Sequence, residues 1–327
     1  DKDFNGTGIS KLELPLVIYW KDSDSKKLYQ RIKKLRKDFG FSPSWEVITD
    51  ICRNEIMEGE DIVRDNKSIM VDYPDEFIRK MRLTGLISLR GGGRFIDINK
   101  KEQDKVDYVL ANYSDYEKYE TGEDYFEYIS EVDEKLISFV PKPVSVTEQD
   151  KYLAKWVGIY TWETIRAELL NLTKSQLTKD DVLKYLSSPI RLEFLTALAV
   201  KSKFPNVRVI PNYPIDDEGI PTATAGGVGN TGDIECFEDI NGILIEVTMS
   251  EGRTQTVMEV WPISRHLAEF GKKAKNSMCY FVAPSIFGDS IKQIQYVKQT
   301  ENLFISPKTI EQFLEHLEKN AVLYSEK

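Results

Sequence analysis

Two acidic residues lie within apolar, strand-like segments in the last third of the chain. Asp233 opens DIECFE, and Glu246 lies inside ILIEVTMS, whose β-branched composition is typical of a buried strand. A buried carboxylate is unfavourable unless a partner or a cation neutralises it. Two converging carboxylates would bind a hard cation such as Mg²⁺, with the Val247 carbonyl as a further ligand. The alternative is a Glu246 that projects from an edge strand into water.

The hairpin between these strands decides whether the two acids can share an ion. A turn around Asn241-Gly242 places Asp233 and Glu246 on the same face of the sheet. In that register Glu246 lies opposite residue 237, four residues from Asp233. At about 3.3 Å per residue this separation is too large for one ion. A shared site therefore requires a wider loop or splayed strands.

Three further residues extend the set. Glu193 lies in PIRLEFLTALAV, a helix that is apolar nearly all round, so it is another candidate buried acid. Glu259 follows Glu246 by thirteen residues, and His266 follows Glu259 by seven. An unbroken helix would place Glu259 and His266 on one face, but Pro262 predicts a kink or a restart.

The segments around these residues alternate between helix and strand. From residue 187 to 327 the pattern predicts an α/β domain, α-β-β-β-α-β-α, around one mixed sheet. GGVGNTG, Gly226 to Gly232, precedes a strand and lacks a Gly-Lys-Ser/Thr ending. We interpret it as a mobile loop that leads to Asp233 rather than as a nucleotide-binding loop.

The preceding chain divides into a first region, residues 1–112, and an acidic, aromatic helical connector, residues 113–186, with a break near Pro141-Lys142-Pro143. In the first region, YPDEFIRKMRLTGLISLRGGGRFIDIN predicts a helix followed by a hairpin, the pattern of a winged helix. Five basic residues on that helix and turn are candidate DNA contacts: Arg79, Lys80, Arg82, Arg90 and Arg94. The alternative is a purely structural helix-hairpin module.

Composition narrows the classes of function. The net charge of −9 argues weakly against a nucleic-acid partner. The segment from Lys26 to Lys37, however, holds seven basic residues and no acid. That segment predicts either a solvated helix face or a phosphate-binding face. Three dispersed cysteines argue against a zinc site or a disulfide framework and fit a reducing cytoplasm. With only His266 and His316, a His-rich metal site is excluded. No segment is long enough to span a membrane, and the opening DKDFNGTGIS suggests a chain whose first part is missing.

The residues of the last region resemble a known family. Gly232-Asp233 and Glu246-Val247-Thr248, in this order of elements, resemble the PD-(D/E)xK nuclease core. The run GDIECFEDINGILIEVTMSEGRTQTVMEVWPISRH is more closely similar to the AlwI-like type IIS restriction endonucleases and their strand-nicking relatives of the BstNBI kind. Those relatives also have a winged-helix region with a "TGL" turn, like Thr84-Gly85-Leu86 here.

The resemblance implies roles for individual residues. Asp233, Glu246 and the Val247 carbonyl would hold Mg²⁺, for which Mn²⁺ would substitute. Glu193 would be a further acidic ligand, and Glu259 and His266 would complete the catalytic site. Thr248 stands where the general nuclease motif has lysine, so the metal, Glu259 or His266 would have to activate the attacking water.

The resemblance also implies an activity and partners. The expected protein is a prokaryotic endonuclease that binds a short asymmetric site in double-stranded DNA and cuts outside it. One site cuts one strand, so a double-strand break would need a second subunit or a transient homodimer. A restriction enzyme further implies a cognate methyltransferase. The alternatives are a winged-helix regulator with an inactive nuclease-like domain and a structure-specific repair nuclease.

Overall fold

The computed structural model describes residues 6–22, 24–57, 65–113, 119–139, 144–223 and 231–325. The chain forms two compact units, Asp1–Lys142 and Pro143–Lys327. This division falls inside the region that the sequence assigns to a connector. The predicted break at Pro141-Lys142-Pro143 and most of the predicted mobile loop, residues 226–230, lie outside the described residues.

The first unit is mostly helical, with one small sheet. Its described strands are β1 (Ile9–Ser10), β2 (Ile87–Arg90) and β3 (Phe95–Ile98), and its described helices are α1 (Leu14–Ile18), α2 (Ser25–Phe39), α3 (Trp45–Asp50), α4 (Tyr73–Leu83), α5 (Gln103–Asn112), α6 (Gly122–Ser130) and α7 (Glu134–Ser138). Short π-helical segments, Ile51–Ile56 and Ser68–Asp72, extend α3 and precede α4.

The predicted helix-hairpin is present as α4, β2 and β3. Gly91, Gly92 and Gly93 all have positive φ, between 60° and 86°, which lets the chain reverse between the two strands. β1 adds a third strand on the free side of β3, giving the antiparallel order β1-β3-β2. The sequence pattern contained no signal for this two-residue strand, because its length leaves no periodicity to detect.

A buried ion pair anchors α2 in the first unit. Glu13 is fully buried, and its two carboxylate oxygens accept hydrogen bonds from Nε of Arg36 at 2.5 Å and from its Nη2 at 2.7 Å. The Ser10 backbone N–H donates to the same carboxylate. Because Arg36 makes two hydrogen bonds to the Glu13 carboxylate, the pair fixes the orientation of α2 about its own axis.

The second unit is an α/β domain around a five-stranded sheet of order β4-β5-β6-β7-β8. Its strands are β4 (Arg208–Pro211), β5 (Ile234–Glu238), β6 (Asn241–Val247), β7 (Asn276–Ala283) and β8 (Ile305–Thr309). Its α-helices among the described residues are α8 (Val146–Ile159), α9 (Trp162–Thr173), α10 (Ser188–Lys203), α11 (Gly252–Met258), α12 (Val260–Phe270), α13 (Gly288–Glu301) and α14 (Ile310–Lys319).

The sheet is mixed, as the sequence predicts. β4, β5 and β6 pair antiparallel, whereas β6, β7 and β8 pair parallel. The predicted order from α10 to α13 is present, and β8 and α14 follow it, as the last apolar segments of the sequence indicate. The apolar face of α12 packs on β6 and β7. Among the described residues, no helix is both long and apolar enough to cross a membrane.

Candidate active site

The register of the β5–β6 hairpin brings the two acids together. Ile234 pairs with Ile245 at the end of the ladder, so the next pair outward is Asp233 and Glu246. The predicted offset of four residues is therefore wrong, and neither a wide loop nor splayed strands is needed. The backbone N–H of Val247 donates a hydrogen bond to Asp233 Oδ2 at 2.8 Å, which ties the two strand ends to each other.

The error came from the position of the turn. Glu238 and Asn241 are the closing pair, so the two-residue turn is Asp239-Ile240 rather than Asn241-Gly242. Asp239 has a φ of 52°, a conformation that aspartate tolerates better than most side chains. Gly242 instead allows Phe270 to pack closely against β6, because a methyl group at residue 242 would lie 2.8 Å from the Phe270 ring.

Burial and proximity raise the pKa values of both carboxyl groups. Glu246 is 6% exposed, and burial raises its pKa to about 8 despite hydrogen bonds from Asp233 that favour the charged form. Burial, followed by the neighbouring charge of Glu246, raises the pKa of Asp233 well above its usual range. Without a cation, the two carboxyl groups are not both ionised at neutral pH. A bound divalent cation would favour the ionised form of both.

His266 contacts this pair directly. Its Nδ1 lies 2.7 Å from Glu246 Oε1, although twenty residues separate them in sequence. Burial lowers the pKa of His266 below its ordinary value, which favours the neutral imidazole. A neutral ring at this position can donate to Glu246 through Nδ1 and leaves Nε2 able to accept a proton.

Glu259 lies at a break between two helices. It follows α11 and precedes α12, and Pro262 occupies the first turn of α12, so the helix restarts here rather than continuing. Glu259 Oε1 accepts hydrogen bonds from the hydroxyls of Thr248 at 2.9 Å and Ser250 at 2.7 Å. The threonine in the position of the usual lysine is thus bonded to Glu259, which it holds beside the end of β6.

Glu193 is buried on α10, as the sequence predicts, at 5% exposure. Its charge acts on both Glu246 and Tyr213, and in each case raises the pKa of the neighbour. Glu193 therefore interacts electrostatically with Glu246, one member of the acid pair. It does not join Asp233 and Glu246 in a three-carboxylate cluster in this conformation of the described residues.

Two residues of the site, Asn212 and Gln255, had no clear signal in the sequence. Asn212 holds the backbone next to the first acid: its Nδ2 donates to the Gly232 carbonyl, and its N–H donates to the Asp233 carbonyl. Gln255 is fully buried and donates to the carbonyls of Ser250 and Ser285, which fixes the loop after β6. Such contacts join residues far apart in sequence, and single amides carry no periodicity that would reveal them.

Gly232 supports the acid pair through its lack of a side chain, and we expect Gly232→Ala to distort it. The added methyl group would lie 2.5 Å from Glu246 Oε1 and 2.5 Å from Leu244 Cδ1. Overpacking of this kind destabilises by about 1–3 kcal/mol. The displaced carboxylate should also weaken Mg²⁺ binding, which isothermal titration calorimetry would measure.

The matched control is Gly158→Ala on α8, where an added methyl group meets no atom within 4 Å. That variant should keep wild-type Mg²⁺ affinity and thermal stability or gain up to about 1 kcal/mol. Equal behaviour of the two alanine variants would contradict the role assigned to Gly232.

The residues at this site fit a hard divalent cation. Asp233 and Glu246 supply two carboxylates at adjacent strand ends, and Val247, which follows Glu246 in the chain, has its N–H bonded to Asp233. In the ranges that the structure describes, no three or more His, Cys, Asp or Glu side chains converge as a metal cluster. This donor set matches Mg²⁺, which is typically held by one or two carboxylates and keeps several waters, and does not match zinc. When bound, such an ion polarises a phosphate and lowers the pKa of bound water.

The predicted DNA contacts of the helix-hairpin differ in exposure. Arg79, Lys80 and Arg94 are exposed, whereas Arg82 is only 5% exposed. Arg90 donates to Asp97 Oδ2 at 2.8 Å and to the Ile98 carbonyl, which braces the hairpin. Of the five predicted contacts, Arg79, Lys80 and Arg94 are therefore accessible to solvent, with Lys80 also paired with Glu76. Arg82 is buried in the module, and Arg90 stabilises the hairpin.

The mixed five-stranded sheet, with paired acids at the adjoining ends of β5 and β6, is consistent with a restriction-endonuclease-like α/β domain. The family model of the AlwI restriction endonuclease matches residues 2–149 and 147–316. The chain therefore belongs to the AlwI restriction endonuclease family.

Solved structures add one named neighbour. Nine chains match, among them the small subunit of the heterodimeric restriction endonuclease R.BspD6I. It is 24% identical, with a TM-score of 0.40, and the match covers 48% of this chain and 77% of that chain. No curated protein matches the sequence.

Proposed function

We propose that the protein is a Mg²⁺-dependent, site-specific DNA endonuclease that cuts outside a short asymmetric recognition site. The observation that carries this proposal is the direct pairing of Asp233 with Glu246 at the strand ends, in a chain of a restriction endonuclease family. Asp233, Glu246 and the Val247 carbonyl would hold the metal, and Mn²⁺ would substitute for Mg²⁺.

The remaining residues supply positioning and proton transfer in this proposal. His266 orients Glu246 through the 2.7 Å contact, and its Nε2 is the candidate proton acceptor for the attacking water. Glu259 holds Thr248 and Ser250 and so shapes the loop after β6, while Glu193 adds negative charge that favours a bound cation. The absence of the usual lysine at Thr248 then leaves His266 as the best-placed base.

The first region, residues 1–112, is the proposed DNA-binding part, and residues 113–186 connect it to the nuclease part, residues 187–327. Arg79, Lys80 and Arg94 are the proposed phosphate or base contacts of a winged-helix module. The proposed target is double-stranded DNA in a prokaryotic cytoplasm, with a cognate methyltransferase that protects the host.

One acid pair cuts one strand, so we propose that a single chain nicks DNA. A double-strand break would require a second subunit or a transient homodimer. The test is incubation with supercoiled plasmid in Mg²⁺ or in EDTA. Open circles that form only in Mg²⁺ and persist support a nicking enzyme, whereas prompt linear product supports two sites that meet on DNA.

The same assay separates the competing functions. Binding without cleavage in either Mg²⁺ or Mn²⁺ would contradict the enzyme and favour a DNA-binding regulator. Nicks mapped by primer extension to a fixed distance from one sequence support the restriction activity. Nicks that follow branched or flapped structures, regardless of sequence, would favour a repair nuclease instead.

A further inference from the structure

The helix α2 presents a cluster of lysines away from the core of the first unit. At about 100° per residue, Lys26, Lys33, Lys34 and Lys37 fall within an arc of about 100°. We call these four residues the lysine face. The apolar residues of α2, Leu28, Ile32 and Leu35, lie on the opposite side and pack in the core.

The lysine face is held in a fixed orientation. Ile32 and Leu35 are buried at 5% and 1% exposure, and Arg36 is bonded to the buried Glu13. Asp24 caps the helix by accepting hydrogen bonds from the backbone N–H groups of Lys26 and Lys27. A rotation of α2 would therefore break a buried ion pair, so the lysines stay directed outward.

Three of the four lysines of this face, all except Lys33, are available to an external anion. In the described ranges Lys26, Lys34 and Lys37 are exposed and have no ion pair. Three exposed lysines of the second unit are paired by contrast: Lys272, Lys292 and Lys319 pair with Glu269, Asp289 and Glu315. In a chain with a net charge of −9, these three exposed lysines form a local positive surface that attracts an anionic partner.

We propose that the lysine face of α2 binds the phosphate backbone of duplex DNA, as a contact surface separate from the helix-hairpin. It rests on the proposed function in that DNA is the substrate. From Lys26 to Lys37 the helix rises about 16 Å, along which a duplex carries roughly ten phosphate charges. Flexible lysines that contact phosphates contribute to affinity for DNA but not to sequence preference.

The test uses the full chain with the triple substitution Lys26→Gln, Lys34→Gln and Lys37→Gln. Fluorescence anisotropy with a 30-bp duplex in EDTA, across a range of salt concentrations, measures binding without cleavage. Three lost phosphate contacts should reduce the slope of log K against log salt by about 2.7. The loss of affinity should be the same for duplexes of unrelated sequence.

The matched control is Lys272→Gln, Lys292→Gln and Lys319→Gln, which removes the same charge from paired lysines. This control should keep the wild-type slope, and circular dichroism should show native helix content in both variants. An unchanged slope in the α2 variant, or an equal loss in the control, overturns the proposal. A wild-type chain that binds no duplex at low salt would instead overturn the proposed function together with this surface.

Discussion

Asp233→Asn is expected to abolish Mg²⁺-dependent cleavage while the protein stays folded and still binds DNA. The change removes one of two carboxylates at the proposed metal site, but an amide oxygen can still accept the hydrogen bond from the Val247 N–H. The rate of plasmid nicking should fall by roughly three orders of magnitude, equivalent to about 4 kcal/mol of transition-state stabilisation. DNA affinity in EDTA should stay within a few-fold of wild type.

A control at the other end of the same hairpin distinguishes the loss of one negative charge from the loss of a carboxylate at the proposed metal site. Asp239→Asn removes an identical charge at the exposed turn residue with a φ of 52°, a conformation that asparagine also accepts. Its cleavage rate should match that of the wild type. Residual cleavage above one tenth of wild type in Asp233→Asn, or an equal loss in Asp239→Asn, would remove the acid pair from the proposed active site.

The metal-free protein is expected to lose stability as the pH rises, because of Glu246. Its folded pKa of about 8 is higher than its ordinary value of 4.5, so between these values the folded state holds a proton that the unfolded state has released. Stability is therefore highest at low pH in this window and falls by about 1.4 kcal/mol per pH unit for one such proton. Across the full window the loss is up to about 5 kcal/mol.

The range from pH 6.5 to pH 8 covers the titration of Glu246, to which the raised pKa of Asp233 adds a contribution of the same sign. The pKa values of His266 and His316 are lowered in the folded state, so their contribution has the opposite sign and is small above pH 6.5. Urea unfolding in EDTA should show a decrease of about 2 kcal/mol from Glu246 across this interval, with the contribution of Asp233 added to it. Saturating Mg²⁺ should reverse the trend, since a cation favours the ionised carboxylates.

The substitution Glu246→Gln provides the decisive comparison. The amide carries no titrating proton, so the dependence on pH should shrink by about one proton, and the part due to Asp233 should remain. The control Glu269→Gln changes an exposed glutamate paired with Lys272 and should leave the dependence as in the wild type. A Glu246→Gln protein with the full wild-type slope would show that this carboxyl does not titrate as described.

Much of the catalytic unit follows from patterns that the sequence carries locally. The β-branched composition of ILIEVTMS predicts β6, and the apolar run around Glu193 predicts the buried helix α10. Side chains alternate along a strand, so parity alone placed Asp233 and Glu246 on one face. The restart of the helix at Pro262 also follows from local chemistry, because proline is accepted in the first turn of a helix.

The tertiary structure decided what local patterns leave open. Register depends on where the chain reverses, and the pairing of Glu238 with Asn241 in the folded hairpin shows that the turn lies two residues earlier, at Asp239-Ile240. That shift changes the acid pair from four residues apart to directly opposite.

The tertiary structure also decides the contacts between separate helices and strands. Examples are the bond of His266 to Glu246, the bond of Glu259 to Thr248 and the burial of Arg82. They depend on how α12, α11 and α4 pack rather than on residue spacing. The sequence by itself therefore determined which residues could form the site and on which elements they lie. The tertiary structure decided their distances, because register and packing are set by the whole fold.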